Sequence, residues 1–231
     1  PMLPSRRPPL RRLCQAAALA LLAGALPLVL AATDGARMED IARARYGEAV
    51  AATVRDWRGL RGDADADESA RLARVNTFFN RRLRFDDDSV VWKEADYWAT
   101  PLESLARGAG DCEDFAIAKY ASLLVAGVPS ERLRLIYVRA RIGGPQSTLS
   151  QAHMVVGYYP TPDAEPLILD NLVGEIRPAS RRPDLFPVFS FTSEGLWVQG
   201  ATTSSADPTA RLSRWRSVLQ RMRSEGLELP R

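Results

Sequence analysis

Cys112, His153 and Asp170 are the residues of this chain whose types and order could do covalent chemistry. A thiol attacks as its thiolate, and a helix N-terminus favours that form through unpaired N–H groups and the helix dipole. Gly108, Gly110 and Asp111 ahead of Cys112, with Gly127 and Pro129 beyond, predict a helix over 112–125. Asp111 is its expected N-cap and Asp114 stands in the capping-box position. Cys112 then falls in the first turn. His153 is the single histidine of the chain and opens a strand predicted over 153–159. Asp170 ends the next, predicted over 167–170. An imidazole that activates a thiol also needs an acceptor to fix its tautomer, and Cys, His and Asp on helix, strand and next strand supply those parts. The interval from Cys112 to His153 lets the helix run out and the chain return along one strand. The shorter interval to Asp170 fits a hairpin. Taken one at a time, the same residues also fit a buried small hydrophobe, a structural histidine and an Asp-Asn turn.

The elements that must position these groups follow from periodicity. Met38, Ile41, Ala42, Tyr46, Val50 and Val54 predict a helix over 36–57, and Leu72, Val75, Phe78, Phe79 and Leu83 a second over 68–84. The stretch 85–104 reads as irregular, and its Trp92, Tyr97 and Trp98 suit either a core or a substrate groove. Strands are predicted over 133–142, 153–159, 167–170, 186–192 and 195–199, with a loop over 201–205. Asp207 and Pro208 start a last helix carrying Leu212, Trp215, Val218, Leu219 and Met222 on one face. Helices followed by a run of strands predict an α+β fold, with N-terminal helices packed on an antiparallel sheet.

Residues 1–31 read differently from the rest. Arg6, Arg7, Arg11 and Arg12 form a basic head, Leu13 to Ala32 is apolar, and Val29 and Ala31 offer small residues at a cleavage spacing. This predicts a secretory signal peptide, with an uncleaved anchor as the alternative. The remainder, 32–231, suits one domain. Of 31 basic and 28 acidic residues in the chain, four basic ones lie in that leader. Without them the balance is slightly acidic, which removes the charge argument for a nucleic-acid partner. Cys14 leaves with the leader, so Cys112 becomes the sole cysteine of an exported, periplasmic protein with no further membrane insertion. A lone thiol in an oxidising compartment asks for a role.

Longer wording sharpens the reading. Asp96-Tyr97-Trp98-Ala99-Thr100-Pro101-Leu102-Glu103, then Gly108-Ala109-Gly110-Asp111-Cys112-Glu113-Asp114-Phe115-Ala116, then His153-Met154-Val155-Val156 and Leu169-Asp170-Asn171, resemble the bacterial transglutaminase-like cysteine proteinases. The resemblance implies a papain-like, transglutaminase-like fold with Cys112 as nucleophile, His153 as general base and Asp170 as its orienter. It implies calcium (Ca2+) dependence, with Asp111 and Glu113 among the ligands. Asp86, Asp88, Asp96 and Tyr97 are candidates to complete the shell. It also implies cleavage of a large surface adhesin in its N-terminal linker, beside a pair of alanines, so that the adhesin is released and biofilm dispersal is promoted. An inner-membrane cyclic di-GMP receptor of the LapD type is the implied regulatory partner. The residues give calcium independent support. Asp111, Glu113 and Asp114 surround Cys112 and oppose a thiolate, whereas a helix terminus offsets only about 0.3–1 kcal/mol per charge. A hard cation held by oxygens would neutralise them. In the plainer alternative, Asp111 and Asp114 only cap the helix and Glu113 faces solvent. A transglutaminase-type acyl transferase, a peptidoglycan amidase and a non-catalytic periplasmic binding module remain rival readings.

Overall fold

The computed structural model describes residues 26–62, 67–198, 204 and 206–230. The expected leader up to residue 25, and all but Ser204 of the expected loop over 201–205, lie outside them. Two helices come first, α1 (Leu26–Tyr46) and α2 (Glu48–Arg58). The single helix expected over 36–57 is divided because Gly47 sits at φ 90°, a conformation that a helix cannot continue through. Next come α3 (Glu68–Arg82), the short strand β1 (Arg84–Phe85), α4 (Asp88–Val91) and α5 (Pro101–Arg107). The last two fall in the stretch expected to be irregular. The signal for α5 was present: Thr100 and Glu103 form a reciprocal capping box with Pro101 at the first helical position.

Strand β2 (Ala109–Gly110) pairs in parallel with β1, and α6 (Cys112–Val125) starts directly after it. That two-residue ladder fixes the chain just before the candidate nucleophile. Then follow β3 (Leu133–Arg141), β4 (Ser150–Tyr158), β5 (Leu167–Leu169), β6 (Arg177–Pro178), β7 (Leu185–Phe191) and β8 (Leu196–Val198). They form one antiparallel sheet in the order β6-β5-β4-β3-β7-β8. The chain closes with α7 (Pro208–Arg211) and α8 (Ser213–Ser224). The α+β class expected from the element order is the one observed.

Helix α6 is buried on every side from Asp114 to Leu124, which is why it reads as an apolar run and not as an amphipathic stripe. It packs on β3 and β4, with α3 and α5 alongside. Trp57 of α2 donates its indole N–H to Ser122 Oγ at 2.6 Å, tying the N-terminal helices to α6. Helix α8 seals the opposite flank. Trp215 is fully buried, meets the Tyr120 ring edge-on at 6.0 Å, and donates to the Thr192 carbonyl at 3.0 Å. Arg221 of α8 reaches the 97–103 segment, donating to Tyr97 Oη at 2.7 Å and to the Trp98 carbonyl and Glu103. Among the described residues, no helix is long and apolar enough to cross a membrane.

Candidate active site and metal centre

Asp111 caps α6, its Oδ1 accepting from the N–H groups of Glu113 at 3.1 Å and Asp114 at 3.4 Å. Cys112 therefore stands at the first helical position, largely buried. Its thiol donates to Glu113 Oε2 at 2.7 Å. Burial pushes this thiol well above its ordinary range, and the Glu113 and Asp111 carboxylates push it further; the Met154 N–H opposes them. Met154 follows His153 on β4, so the sulfur lies against the backbone that carries the histidine.

His153 and Asp170 meet across neighbouring strands. His153 Nε2 is 2.8 Å from Asp170 Oδ1, and both side chains are fully buried. A carboxylate at Nε2 places the ring proton there and leaves Nδ1 the basic nitrogen. Nδ1 is buried and has no hydrogen-bond partner. Asp170 is held at every point. Its Oδ1 also accepts from the Leu172 N–H at 3.0 Å, and its Oδ2 accepts from Arg182 Nη2 at 2.7 Å. Burial alone would raise this carboxyl, but His153, the Leu172 N–H and Arg182 outweigh it and bring it down to about 2. Arg182 is in turn anchored by Asp184 at 2.8 and 3.0 Å. Sequence reasoning missed Arg182: nothing local marks it, and its role appears only when the chain between Asp170 and Asp184 folds back.

A second buried cation lies nearby. Lys119, on α6, is 1% exposed, has no hydrogen-bond partner at Nζ, and sits over the Phe115 ring at 5.8 Å. Burial lowers its ammonium to about 7 from 10.5, with Asp170 opposing the shift. Between those values the unfolded chain binds the proton and the folded chain does not, so stability rises with pH. Lys119→Met is accordingly expected to melt higher than the parent at pH 6–7, with the gap narrowing toward about pH 10. Melting curves across that range check it; a gap that is constant with pH refutes it.

The acidic residues gather on the other side of Cys112. Carboxylate oxygens of Asp88, Asp111 and Asp114 lie within 4.8 Å of one another, and Asp111, Cys112 and Glu113 form a second such group. Asp114 is not a reciprocal cap as expected. Its carboxylate turns inward to accept from the Ala99 N–H at 2.7 Å and the Trp92 indole at 3.0 Å. Burial, then the charges of Glu113, Asp114 and Asp88, raise Asp111 to about 9, and burial chiefly raises Asp114 to about 7. Asp88 is buried with one oxygen on the Tyr97 N–H and Oδ1 without any partner. An orphaned carboxylate oxygen among mutually repelling carboxylates, all hard oxygen donors, fits a divalent cation of the calcium type. The side chains of three other candidate ligands have partners of their own. Asp86 is engaged by Arg84 at 3.0 Å, Asp96 pairs with Arg214 at 3.0 Å, and the Tyr97 hydroxyl faces Glu103 and Arg221. Trp98 stacks on Phe191 in the core, while Trp92 and Tyr97 pack on each other.

Gly110 makes the inward turn of Asp114 possible. A Cβ there would stand 2.5 Å from Asp114 Oδ2 and 2.7 Å from its Cβ. Gly110→Ala is expected to cost about 1–3 kcal/mol and to lower the melting temperature by several degrees. An unchanged melt would show that Asp114 can give way.

The profile of one protein family matches this chain over residues 50–201, which include every residue of both clusters: the bacterial transglutaminase-like cysteine proteinases. The chain belongs to that family. Solved structures of LapG from Legionella pneumophila agree with it. The EGTA-treated form is 39% identical, covers 81% of this chain and 97% of that one, and superposes with a TM-score of 0.70. The calcium-bound form is 39% identical, covers 81% and 98%, and gives 0.69. No curated protein sequence matches the chain. The fold is thus that of the transglutaminase-like cysteine proteinases. The family's matched region ends before α8, although Trp215 and Met222 complete the core here.

Proposed function

We propose that this chain is a calcium-dependent periplasmic cysteine endopeptidase. Its substrate is the N-terminal linker of a large surface adhesin, whose release promotes biofilm dispersal, and a LapD-type cyclic di-GMP receptor is its regulatory partner. The observation that carries the reading is the buried His153–Asp170 pair beside a cysteine at a helix N-terminus, in a chain 39% identical to LapG. Cys112 is the nucleophile. His153 takes its proton at Nδ1, the nitrogen left free by the Asp170 bond. The thiolate attacks a peptide carbonyl, and the Cys112 N–H, left free at the start of α6, stabilises the oxyanion. His153 then protonates the departing amine, and water hydrolyses the thioester. Asp170, gripped by Arg182, keeps the imidazole in its working tautomer. Asp88, Asp111, Glu113 and Asp114 would hold calcium, which supplies positive charge against carboxylates that otherwise oppose the thiolate.

The test is a gel assay on an adhesin N-terminal fragment containing a di-alanine linker, with calcium and with EGTA. A single cut with calcium and none with EGTA is expected. Cutting in both removes the metal from the scheme. Cutting in neither by folded protein removes the protease, and product masses then distinguish an acyl transferase.

A further inference from the structure

The turn that carries Asp170 is held by a helix far earlier in the chain. Asn76 and Asn80 stand one turn apart on α3, on the same side. Asn80 Nδ2 donates to the Asp170 main-chain carbonyl at 2.9 Å, and Asn76 Nδ2 donates to the Gly174 carbonyl at 2.8 Å. The two amides thus grip both ends of the segment 170–174. Their orientation is chemically forced, because each faces a carbonyl oxygen that only an N–H can satisfy.

These side chains are poor choices for stability alone. Asn76 is 2% exposed, and the Oδ1 atoms of both asparagines are buried without a partner. Half-satisfied buried amides are costly, so it is the donors that account for the residue type. Inside the gripped segment, the Leu172 N–H donates to Asp170 Oδ1, the same oxygen that meets His153. A shift of the turn therefore moves the atom that sets the imidazole.

We propose that Asn76 and Asn80 are positioning residues that clamp the 170–174 turn and thereby fix the Asp170–His153 hydrogen bond. The effect on turnover rests on the protease reading above; the effect on the hydrogen bond does not. Because the chain has one histidine, the imidazole N–H signals of untagged, histidine-labelled protein belong to His153 without further assignment. Asn80→Asp keeps the shape, removes the donor and sets an oxygen against the Asp170 carbonyl. In this variant the Nε2 proton is expected to exchange with solvent at least tenfold faster. On the adhesin fragment, kcat is expected to fall about tenfold with KM within twofold. Asn76→Ser, a milder change at the other end, is expected to move the signal in the same direction and covers the case in which Asn80→Asp does not fold. A folded variant with unchanged proton exchange overturns the clamp. Faster exchange in a protein whose parent cuts no adhesin upholds the clamp and defeats the protease reading.

Discussion

Replacing Cys112 by alanine is expected to abolish cleavage of the adhesin fragment while leaving the melting temperature within about 2 °C of the parent. Removing the nucleophile of a catalytic triad costs about 10^6-fold in kcat, below detection in a gel assay. The small structural effect follows from the surroundings. The α6 start is fixed by the Asp111 cap and the β1–β2 ladder, neither of which uses the sulfur. The thiol's ground-state contacts are its hydrogen bond to Glu113 and the Met154 N–H, and that carboxylate lies beside other acidic groups that a cation would satisfy. The variant therefore separates chemistry from folding. Calcium is expected to raise the melting temperature of the variant and of the parent alike. Turnover that survives in the alanine protein would end the cysteine mechanism.

Asp170→Asn is expected to lose about 10^3–10^4-fold in kcat, the scale on which a triad responds when its acid becomes an amide. The amide has two orientations and neither serves. With its oxygen toward Arg182, its NH2 faces His153 Nε2 and forces the imidazole proton onto Nδ1, where the thiol proton has to go. With its oxygen toward His153, its NH2 meets the Arg182 guanidinium donor to donor. The buried charge of Arg182, with Asp184 as its remaining partner, favours the first orientation. Single-turnover kinetics check the loss, and the His153 ring signals report the tautomer directly. Activity within tenfold of the parent would remove Asp170 from the mechanism.

The two halves of this site were unequally legible in the sequence. Cys112, His153 and Asp170 could be ordered on helix, strand and strand because capping and alternation are local signals. The close approach of His153 and Asp170 then follows from pairing adjacent strands. The grip of Arg182 on Asp170, and of Asn80 on the same turn from 90 residues away, has no local signature; a side chain contact across the fold leaves no period in the sequence. The acidic centre was legible in outline, with Asp88, Asp111 and Glu113 in the clusters that form, but not in its detail. Asp86, Asp88 and Asp96 look alike in sequence, yet Arg84 and Arg214 neutralise the outer two while α4 turns Asp88 inward. Asp114 was read as a cap because its position allows that, whereas the Ala99 N–H and the Trp92 indole draw it into the core. In the fold, the missed α4 and α5 are too short to show periodicity, and α5 was recoverable only from its cap.

The strap from Arg221 to Tyr97 and Trp98 spans more than 120 residues of chain. Synthesis runs from the N-terminus, so Cys112 leaves the ribosome well before the helix that closes the loop beside it. Trp215, which fills the core behind Tyr120, arrives just as late. A nascent or interrupted chain thus holds Cys112 before Arg221 and Trp215 have closed the scaffold around it.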